Sequence, residues 1–253
     1  MHRFYVDEGG ITEGLARLTP EDARHALRVL RLGPGDPCEL FCGGGRYRGV
    51  ILDGEGDEVT VRVEAPLPST EPALRVTLYQ GLPKADKMEL IVQKAVELGV
   101  HAIVPVAMSR CVTKLDGRDA EKKRERWQKI AHEACKQSGR CAEPQIALPL
   151  PIRLLPERLR AHEVALVPWE EARACGLNRV RDTHPEVRDM ALVIGPEGGM
   201  SGEEVGRMAE AGAVPVTLGP RILRTETAAL AALSGLMCLW GEWENIPTGE
   251  HHP

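Results

Sequence analysis

Apolar and polar positions follow different periods in the two parts of the chain. Between 59 and 63, valines alternate with polar residues, and this period of two predicts a half-buried strand. Between 88 and 96, apolar residues recur three and four positions apart, and this spacing predicts an amphipathic helix. We therefore expect a β-rich segment at the start of the chain and alternating strands and helices after it.

The first part of the chain predicts a small β domain at residues 1–68. Candidate strands lie at 2–6, 38–41, 46–52 and 59–63. Thr19 is expected to cap a helix whose first residue is Pro20, because both residue types favour a helix start. Three prolines between 66 and 72 cannot continue a strand ladder, so we place the linker there.

The second part predicts an α/β domain at residues 73–246, followed by a disordered tail at 247–253. Candidate strands lie at 74–80, 102–106, 163–167, 190–194 and 214–218. Candidate helices begin near Pro83, Asp119, Ser201 and Glu226. Residues 178–188 are expected to form a polar surface loop. Strands that alternate with helices at this spacing predict right-handed units and a parallel sheet.

Two glycine-containing loops follow strands of this predicted sheet. The first loop, residues 194–201, reads IGPEGGMS, and the second loop, residues 218–228, reads LGPRILRTETA. Glycines let a backbone approach a ligand closely, and the helix start beyond each loop offers unpaired N–H groups. Together they predict a binding crevice at the carboxyl ends of neighbouring strands. Neither loop has the dinucleotide or phosphate-loop pattern, which argues against a nucleotide-dependent oxidoreductase.

Composition and charge restrict the function further. The 253 residues carry a net charge of −5, but residues 110–140 hold ten Lys and Arg against five Asp and Glu, so we expect a local basic surface. Seven scattered cysteines without a C-x-x-C pair argue against a disulfide framework or a zinc site and favour a reducing cytoplasm. No apolar run is long enough to predict a membrane span.

The two loop sequences resemble those of the SPOUT superfamily of RNA methyltransferases. More narrowly, they resemble the bacterial 16S rRNA uridine-N3 methyltransferases of the RsmE family. Further similarity to that family lies in RFYV at 3–6, HALRVLR at 25–31, K-x-D-K-x-E at 84–89 and QSGR at 137–140. Cys111 departs from the family, whose members typically carry serine there, and this argues against a required hydroxyl nucleophile.

The resemblance implies a fold and a reaction. The implied fold is a PUA-like β-barrel followed by a SPOUT-like α/β parallel sheet, whose C-terminal segment forms a trefoil knot around which two chains dimerise. The implied enzyme is cytoplasmic and uses S-adenosylmethionine, without a metal, to methylate N3 of a uridine in 16S rRNA or the assembled small ribosomal subunit.

The resemblance also implies which residues contact the cofactor. These are a strand end and both loops: Val167, Pro168, Gly195, Pro196, Glu197, Gly198, Gly199, Leu218, Gly219, Ile222, Leu223, Arg224, Thr225, Thr227 and Ala228. Most of these contacts are expected to come from the backbone. Trp169, which follows the predicted strand at 163–167, is either a stacking residue for a base or adenine, or a packing residue.

Uridine N3 carries a proton that must leave before the nitrogen can attack a methyl group. Arg224 is the first candidate for a catalytic role, because it could stabilise charge on the uracil oxygens. Glu226 and then Glu197 are the candidate bases. Each glutamate also has a structural alternative, since Glu226 favourably meets a helix dipole and Glu197 could bond the backbone of a tight turn.

Basic residues in both parts of the chain are candidates for RNA phosphate contacts. They are Arg3, Arg24, Arg28, Arg31, Lys84, Lys87, Arg110, Lys114, Lys122, Lys123, Arg126, Lys129 and Arg140. The alternative for these residues is a solvated polar face, and the salt dependence of RNA affinity separates the two.

Two other functions stay open from the sequence. One is a SPOUT methyltransferase with another target, such as tRNA or a ribose 2′-hydroxyl. The other is a non-catalytic RNA-binding assembly factor, which would tolerate damage to the loops.

Overall fold

The computed structural model describes residues 1–7, 9–113, 115 and 117–244. These residues form two compact units. The first unit contains Met1–Glu71 and Cys135–Glu143, and the second contains Pro72–Ala134 and 144–244. The domain limits 1–68 and 73–246 stay predictions, and the expected tail at 247–253 lies outside the described residues.

The first unit is built on a β-sheet. Its strands are β1 (His2–Tyr5), β2 (Ile11–Thr12), β3 (Leu15–Arg17), β4 (Pro37–Cys42), β5 (Gly45–Glu55) and β6 (Glu58–Leu67). Their order is β1-β4-β5-β6-β3-β2, in which β1 and β4 are parallel and the other neighbours antiparallel. Phe4, Leu40, Ile51 and Val61 are buried along the sheet and form the centre of this unit's core.

Helix α1 (Pro20–Arg24) packs into that core and starts as its sequence predicts. The Thr19 hydroxyl accepts a hydrogen bond from the Asp22 N–H at 3.2 Å, and Pro20 is the first helical residue. A π-helical turn (His25–Val29) follows directly, so the arginines of this region lie on two short turns instead of one regular helix. Ala23 and Ala26 are fully buried and fix the position of both turns.

Residues 135–143, the closing segment, belong to the first unit although the chain reaches them late. The Glu71 carboxylate forms an ion pair with Arg140 and accepts the Cys141 N–H at 2.7 Å. Thr70 donates its hydroxyl hydrogen to the Gly139 carbonyl at 2.8 Å, and Tyr5 donates to the Arg140 carbonyl at 2.5 Å. These bonds tie both ends of the first 71 residues to the closing segment.

The second unit contains a parallel sheet. Its strands are β7 (Arg75–Gly81), β8 (Ala102–Ala107), β9 (Gln145–Ile146), β10 (Leu150–Pro151), β11 (Val164–Pro168), β12 (Asp189–Ile194) and β13 (Val214–Val216). The order is β10-β8-β7-β12-β11-β13, with β9 also on β8, and every pairing is parallel. The predicted α/β class with a parallel sheet is therefore confirmed.

Helices connect these strands. They are α2 (Lys87–Glu97), α3 (Gly117–Ser138), α4 (Leu155–Leu159), α5 (Leu177–Thr183), α6 (Gly202–Glu210) and α7 (Thr225–Leu239), with a short 3-10 turn at Ile152–Leu154 before α4. Helix α7 packs against α2 and against the central strands β7 and β12. None of the described helices is long and apolar enough to cross a membrane.

Two expectations for this unit are wrong. Residues 178–188 are not simply a surface loop, because α5 covers much of that stretch: Val180 is buried, and the Arg181 Nε donates to the Leu239 carbonyl at 2.9 Å. Helix α2 begins at Lys87 instead of near Pro83, because Ala85 has a φ of +52° and leaves the helical region.

Candidate active site

A cavity of about 980 Å³ lies at the carboxyl ends of β11, β12 and β13. Three stretches line it: 168–173 after β11, the first loop after β12, and the second loop after β13, together with Thr217 and Lys87. Sequence spacing placed both loops at strand ends, and the structure brings them to one cavity. A volume in the range of about 300–1,000 Å³ suits a small-molecule ligand.

Thr225 joins the two loops. Its hydroxyl donates to the Gly195 carbonyl of the first loop at 2.6 Å and accepts the side-chain N–H of Gln80 at 2.9 Å. Thr225 is 5 % exposed and Gln80 is fully buried at the end of β7. Since buried hydrogen bonds are costly to lose, this contact fixes the start of the first loop against the start of α7.

The rest of the first loop is held from both sides. The Arg110 guanidinium donates to the Gly198 carbonyl at 3.1 Å. Ser201 and Glu204 form a reciprocal capping box at the start of α6, and Glu204 also accepts the Ser109 N–H at 2.9 Å. Burial alone would raise the pKa of Glu204, but the hydrogen bonds from Ser109 and Ser201 outweigh it and lower the pKa.

Glycines let neighbouring groups approach the first loop closely. A Cβ on Gly198 would lie 3.0 Å from the Arg110 Cβ, and one on Gly199 would lie 2.9 Å from a Glu170 carboxylate oxygen. Gly199 also has a φ of +70°, which favours glycine. A Cβ on Gly81, at the end of β7, would lie 2.7 Å from the Pro196 nitrogen. The first loop is therefore packed tightly against its surroundings.

The second loop is open by comparison. Ile222 is 82 % exposed, and Arg224 is an exposed residue at the N-terminal cap of α7. Gly219 has a φ of +101°, and its N–H bonds the Thr217 hydroxyl at 3.1 Å. The side chains of this loop are thus available to a ligand in the cavity.

Lys87, Glu197 and Glu226 form an ionic cluster at the edge of the cavity, here called the charge bridge. The Lys87 Nζ lies 3.2 Å from Glu197 Oε1 and 3.1 Å from Glu226 Oε2. The Lys84 N–H also donates to Glu197 at 3.1 Å. These contacts bring the first turn of α2 to the first loop and to the first turn of α7.

The charge bridge perturbs its own members. Burial raises the pKa of Glu197, but the backbone N–H groups of Glu197 and Lys84 and the Lys87 ammonium together lower it below its usual value. Burial also raises the pKa of Glu226, but its own backbone N–H, Lys87 and Arg224 together outweigh burial and lower that pKa. Hydrogen bonds to Glu226 and Glu197 raise the pKa of Lys87. Both carboxylates are therefore ionised at neutral pH.

Most of the expected cofactor residues line the cavity. They are Pro168, Gly195, Pro196, Glu197, Gly198, Gly199, Leu218, Gly219, Ile222, Leu223, Arg224, Thr225 and Ala228. Val167 is fully buried in the core behind it, and Thr227 is exposed on α7 outside its lining. Their roles stay predictions.

Several residues that line the cavity were not among the predicted cofactor contacts. They are Lys87, Glu170, Arg173, Ile194, Met200, Thr217, Pro220 and Arg221. Ile194, Met200, Pro220 and Arg221 lie inside the two predicted loops, Thr217 directly precedes the second loop, and Glu170 and Arg173 follow Pro168. Lys87 was predicted as an RNA contact instead, and its place at the cavity could not be predicted because α2 lies far from both loops in sequence. Trp169 lines the cavity too, and its buried indole N–H has no partner among the described residues.

The expected RNA-binding residues fall into separate places. In the first unit, Arg24 and Arg28 pair with Asp57 at 2.7 and 3.9 Å, while Arg3 lies 3.6 Å from Glu39. Arg31 is exposed with a φ of +57°. These arginines are accessible, but three of them already have acidic neighbours.

Arg140 is the exception in the first unit, because its guanidinium is buried against Glu71. A direct RNA contact by Arg140 would have to break that ion pair.

In the second unit, Lys122, Arg126 and Lys129 lie on α3 and line a surface groove of about 510 Å³, together with Glu125 and Glu133. Arg126 also pairs with Glu89 at 2.8 Å. Lys123 lies on the same helix, partly exposed.

The other basic residues of the second unit lie near the cavity. Lys84 and Arg110 are exposed and contact the first loop, and Lys87 is in the charge bridge. Lys114 lies outside the described residues.

The chain is similar to known proteins over nearly its whole length. Residues 70–237 match the RNA methyltransferase domain family, and residues 18–64 match the RNA methyltransferase PUA domain family. Ribosomal RNA small subunit methyltransferase E of Bacillus subtilis is 37 % identical over 227 residues, covering 87 % of this chain and 88 % of that protein. The Mycobacterium bovis protein of the same name is 32 % identical, covering 95 % and 93 %.

A solved structure agrees with these matches. Ribosomal RNA small subunit methyltransferase E from Neisseria gonorrhoeae, bound to S-adenosylmethionine, superposes with a TM-score of 0.82 and 36 % identity, covering 95 % of this chain and 98 % of that one.

Proposed function

Because this chain belongs to the family of ribosomal RNA small subunit methyltransferase E, we propose that it methylates N3 of a uridine in 16S rRNA. Its family membership shows a methyltransferase with a PUA domain, and the S-adenosylmethionine bound by its structural relative supports the same methyl donor for this chain. The choice of N3 is our inference. It is supported by the ionised acid groups and the exposed arginine at one cavity.

The cavity fits S-adenosylmethionine. The backbone of the first loop lines the cavity, and the indole N–H of Trp169, which has no partner among the described residues, could serve a polar group of the cofactor. When bound, the cofactor supplies an activated methyl group. The protein's task is then mainly to position the uridine and exclude water.

Proton removal from N3 is assigned to the same edge of the cavity. Glu226 is our preferred acceptor and Glu197 the second, since both are ionised and so can take up a proton. Their lowered pKa values make them weak bases, so the uracil anion needs stabilisation of its own. Arg224 is proposed to supply it by placing a guanidinium near the uracil oxygens.

RNA contacts are proposed for the basic residues of each unit. Small-subunit rRNA is the partner, and Lys122, Lys123, Arg126 and Lys129 on α3 would contact its phosphates, as would the accessible arginines of the first unit. The target uridine would be unstacked into the cavity, because a base inside a helix does not expose N3.

This part of the proposal is tested by reversing charge. Replacing Lys122 and Lys123 with Glu is expected to weaken rRNA binding and to reduce the slope of log affinity against log salt by about 0.7–0.9 per lost contact. Replacing the acidic neighbours Glu125 and Glu133 with Gln is the matched control and should strengthen binding slightly. An unchanged slope in the Lys variants would mean a solvated face.

We also propose the finer features of the family fold: a closed barrel in the first unit, a C-terminal trefoil knot, a homodimer and a cytoplasmic location. One observation supports the knot. The chain passes from β13 at the edge of the sheet through the second loop to α7, which packs against the central strands β7 and β12. Small-angle scattering in solution would test the dimer, since one chain and two chains differ twofold in mass.

The decisive experiment is methyl transfer from labelled S-adenosylmethionine to small ribosomal subunits, free 16S rRNA and tRNA, followed by identification of the modified nucleoside. N3-methyluridine in 16S rRNA is expected. Label in tRNA or on a ribose would overturn the specificity. Cofactor binding without transfer to any of these RNAs would favour a substrate state absent from the assay, such as an assembly intermediate.

A further inference from the structure

Lys87 lies at the edge of the cavity, a position that its place in the sequence does not predict. It lies in the first turn of α2, is 28 % exposed along its side chain, and lines the cavity. Its Nζ contacts carboxylates from two other elements, the first loop and α7, at nearly equal distances of 3.2 and 3.1 Å. A lysine with both carboxylates on its one nitrogen is poorly placed for a phosphate contact.

The turn before Lys87 is shaped to support this contact. Ala85 has a φ of +52°, a left-handed conformation that a non-glycine residue adopts only at a cost. The turn directs the Lys84 N–H at both Glu197 oxygens, at 3.1 and 3.3 Å. The Thr113 hydroxyl holds the turn from behind by donating to the Pro83 carbonyl at 2.9 Å. Backbone and side chain thus converge on Glu197.

We propose that Lys87 is a positioning residue for methyl transfer, which holds the first loop to α7 and supplies the positive charge that lets two carboxylates occupy one edge of the cavity. The proposal rests on the methyltransferase function, not on which nucleoside is modified. Lys87 acts through Glu197 and Glu226, so its removal changes how these two groups titrate.

The charged groups around the bridge decide the direction of that change. Glu226 faces Lys87 and Arg224, whereas Glu197 faces Lys87, the Lys84 N–H and, more distantly, the Cys111 thiol. Arg110 bonds the neighbouring Gly198. Without Lys87, the two carboxylates lose the cation between them, and like charges raise the pKa of one of the pair. Glu197 keeps two backbone donors, its own N–H and that of Lys84, whereas Glu226 keeps one backbone donor, its own N–H, and the charge of Arg224. Glu226 is therefore the group that we expect to gain a proton as pH falls.

The test uses three variants of the full chain: Lys87→Met, Lys87→Arg, and Lys87→Met combined with Glu197→Gln. Initial methyl-transfer rates are measured from pH 5.5 to 8.5 and divided by the wild-type rate at each pH. For Lys87→Met the ratio should fall about threefold or more between pH 8 and pH 5.5. For Lys87→Arg the ratio should stay constant across this pH range. For the double variant the ratio should also be constant, because removing the Glu197 carboxylate removes the repulsion that acts on Glu226.

A flat ratio for Lys87→Met, or an equal fall in Lys87→Arg, would overturn the proposal. An NMR titration of the side-chain carboxyl carbons monitors the charge bridge without requiring catalytic turnover. The pH midpoint of the Glu226 titration should rise in Lys87→Met and return to about its wild-type value in the double variant. An unmoved midpoint overturns the role of Lys87 even if the protein proves inactive. Wild-type protein that never transfers a methyl group would instead overturn the proposed function. Thermal melting confirms that each variant is folded.

Discussion

The two loops of the cavity differ in what holds them. The first loop has its carbonyls bonded by Thr225 and Arg110, its Glu197 bonded by Lys84 and Lys87, and its end fixed by the capping box of α6. The second loop is fixed at Thr217 and Thr225, and between them Ile222 and Arg224 are exposed. The first loop is therefore formed before any ligand arrives, whereas the second keeps its side chains available for binding and chemistry.

The largest effect is expected in the open loop, on activity alone. Replacing Arg224 with Ala should lower kcat about 10²–10³-fold, because the proposed stabilisation of the uracil anion is lost. The melting temperature should stay unchanged, since Arg224 is exposed, and cofactor affinity should fall far less than kcat, since most cofactor contacts are expected from the backbone. Steady-state kinetics and calorimetry measure both. Full activity in this variant would remove Arg224 from the mechanism.

Replacing Gly81 with Ala tests how tightly the first loop is packed. The new Cβ would lie 2.7 Å from the nitrogen and Cδ of Pro196, so the first loop must move. We expect a loss of about 1–3 kcal/mol in the free energy of unfolding, measured with denaturant, together with weaker cofactor binding. Gly206→Ala in α6 is the matched control, because a Cβ there meets nothing within 4 Å. Equal stability of the two variants would contradict the tight packing.

Replacing Thr225 with Val tests the bond between the loops. The change leaves the Gly195 carbonyl without its donor and removes an acceptor from Gln80. The expected cost is about 1–3 kcal/mol in unfolding free energy, with the effect on cofactor affinity in the same direction. Thr225→Ser keeps the hydroxyl and should recover most of the loss. If Ser and Val behave alike, the hydroxyl does not join the loops.

The smallest effect is expected from Ile222→Ala. Its side chain is 82 % exposed, so unfolding free energy should change by less than about 0.5 kcal/mol. Cofactor affinity, measured by isothermal titration, should fall by less than about tenfold if the side chain covers bound ligand. A loss of stability comparable to that of Gly81→Ala would show that the second loop is as firmly packed as the first.

Local chemistry predicted much of the fold. Thr19 and Ser201 begin helices because a short side-chain oxygen followed by helix formers is a strong local signal. The strands before both loops are found because they are continuous apolar runs. Helix α5 escaped prediction since its stretch is polar in sequence and is held by a distant contact, from Arg181 to the Leu239 carbonyl.

Site residues whose surroundings were predicted wrongly also depend on contacts with distant parts of the chain. Arg140 looks like a surface cation in sequence, but Glu71, 69 positions earlier, buries it. Lys87 belongs to a motif of alternating charge, and only the left-handed Ala85 and two distant glutamates place it in the cavity. Sequence identifies residues of the right chemical type, whereas their partners come from contacts between segments far apart in the chain.

The closing segment has a consequence for how the chain is made. The N-terminal sheet leaves the ribosome long before residues 135–143, which Glu71, Thr70 and Tyr5 all bond. At about 5–20 residues per second, roughly 3–13 s pass before those partners are synthesised. During that interval the Glu71 carboxylate lacks its ion-pair partner Arg140. The N-terminal unit, although first in the chain, completes its folding only after part of the second unit has been translated, and a fragment that stops at residue 71 would never complete it.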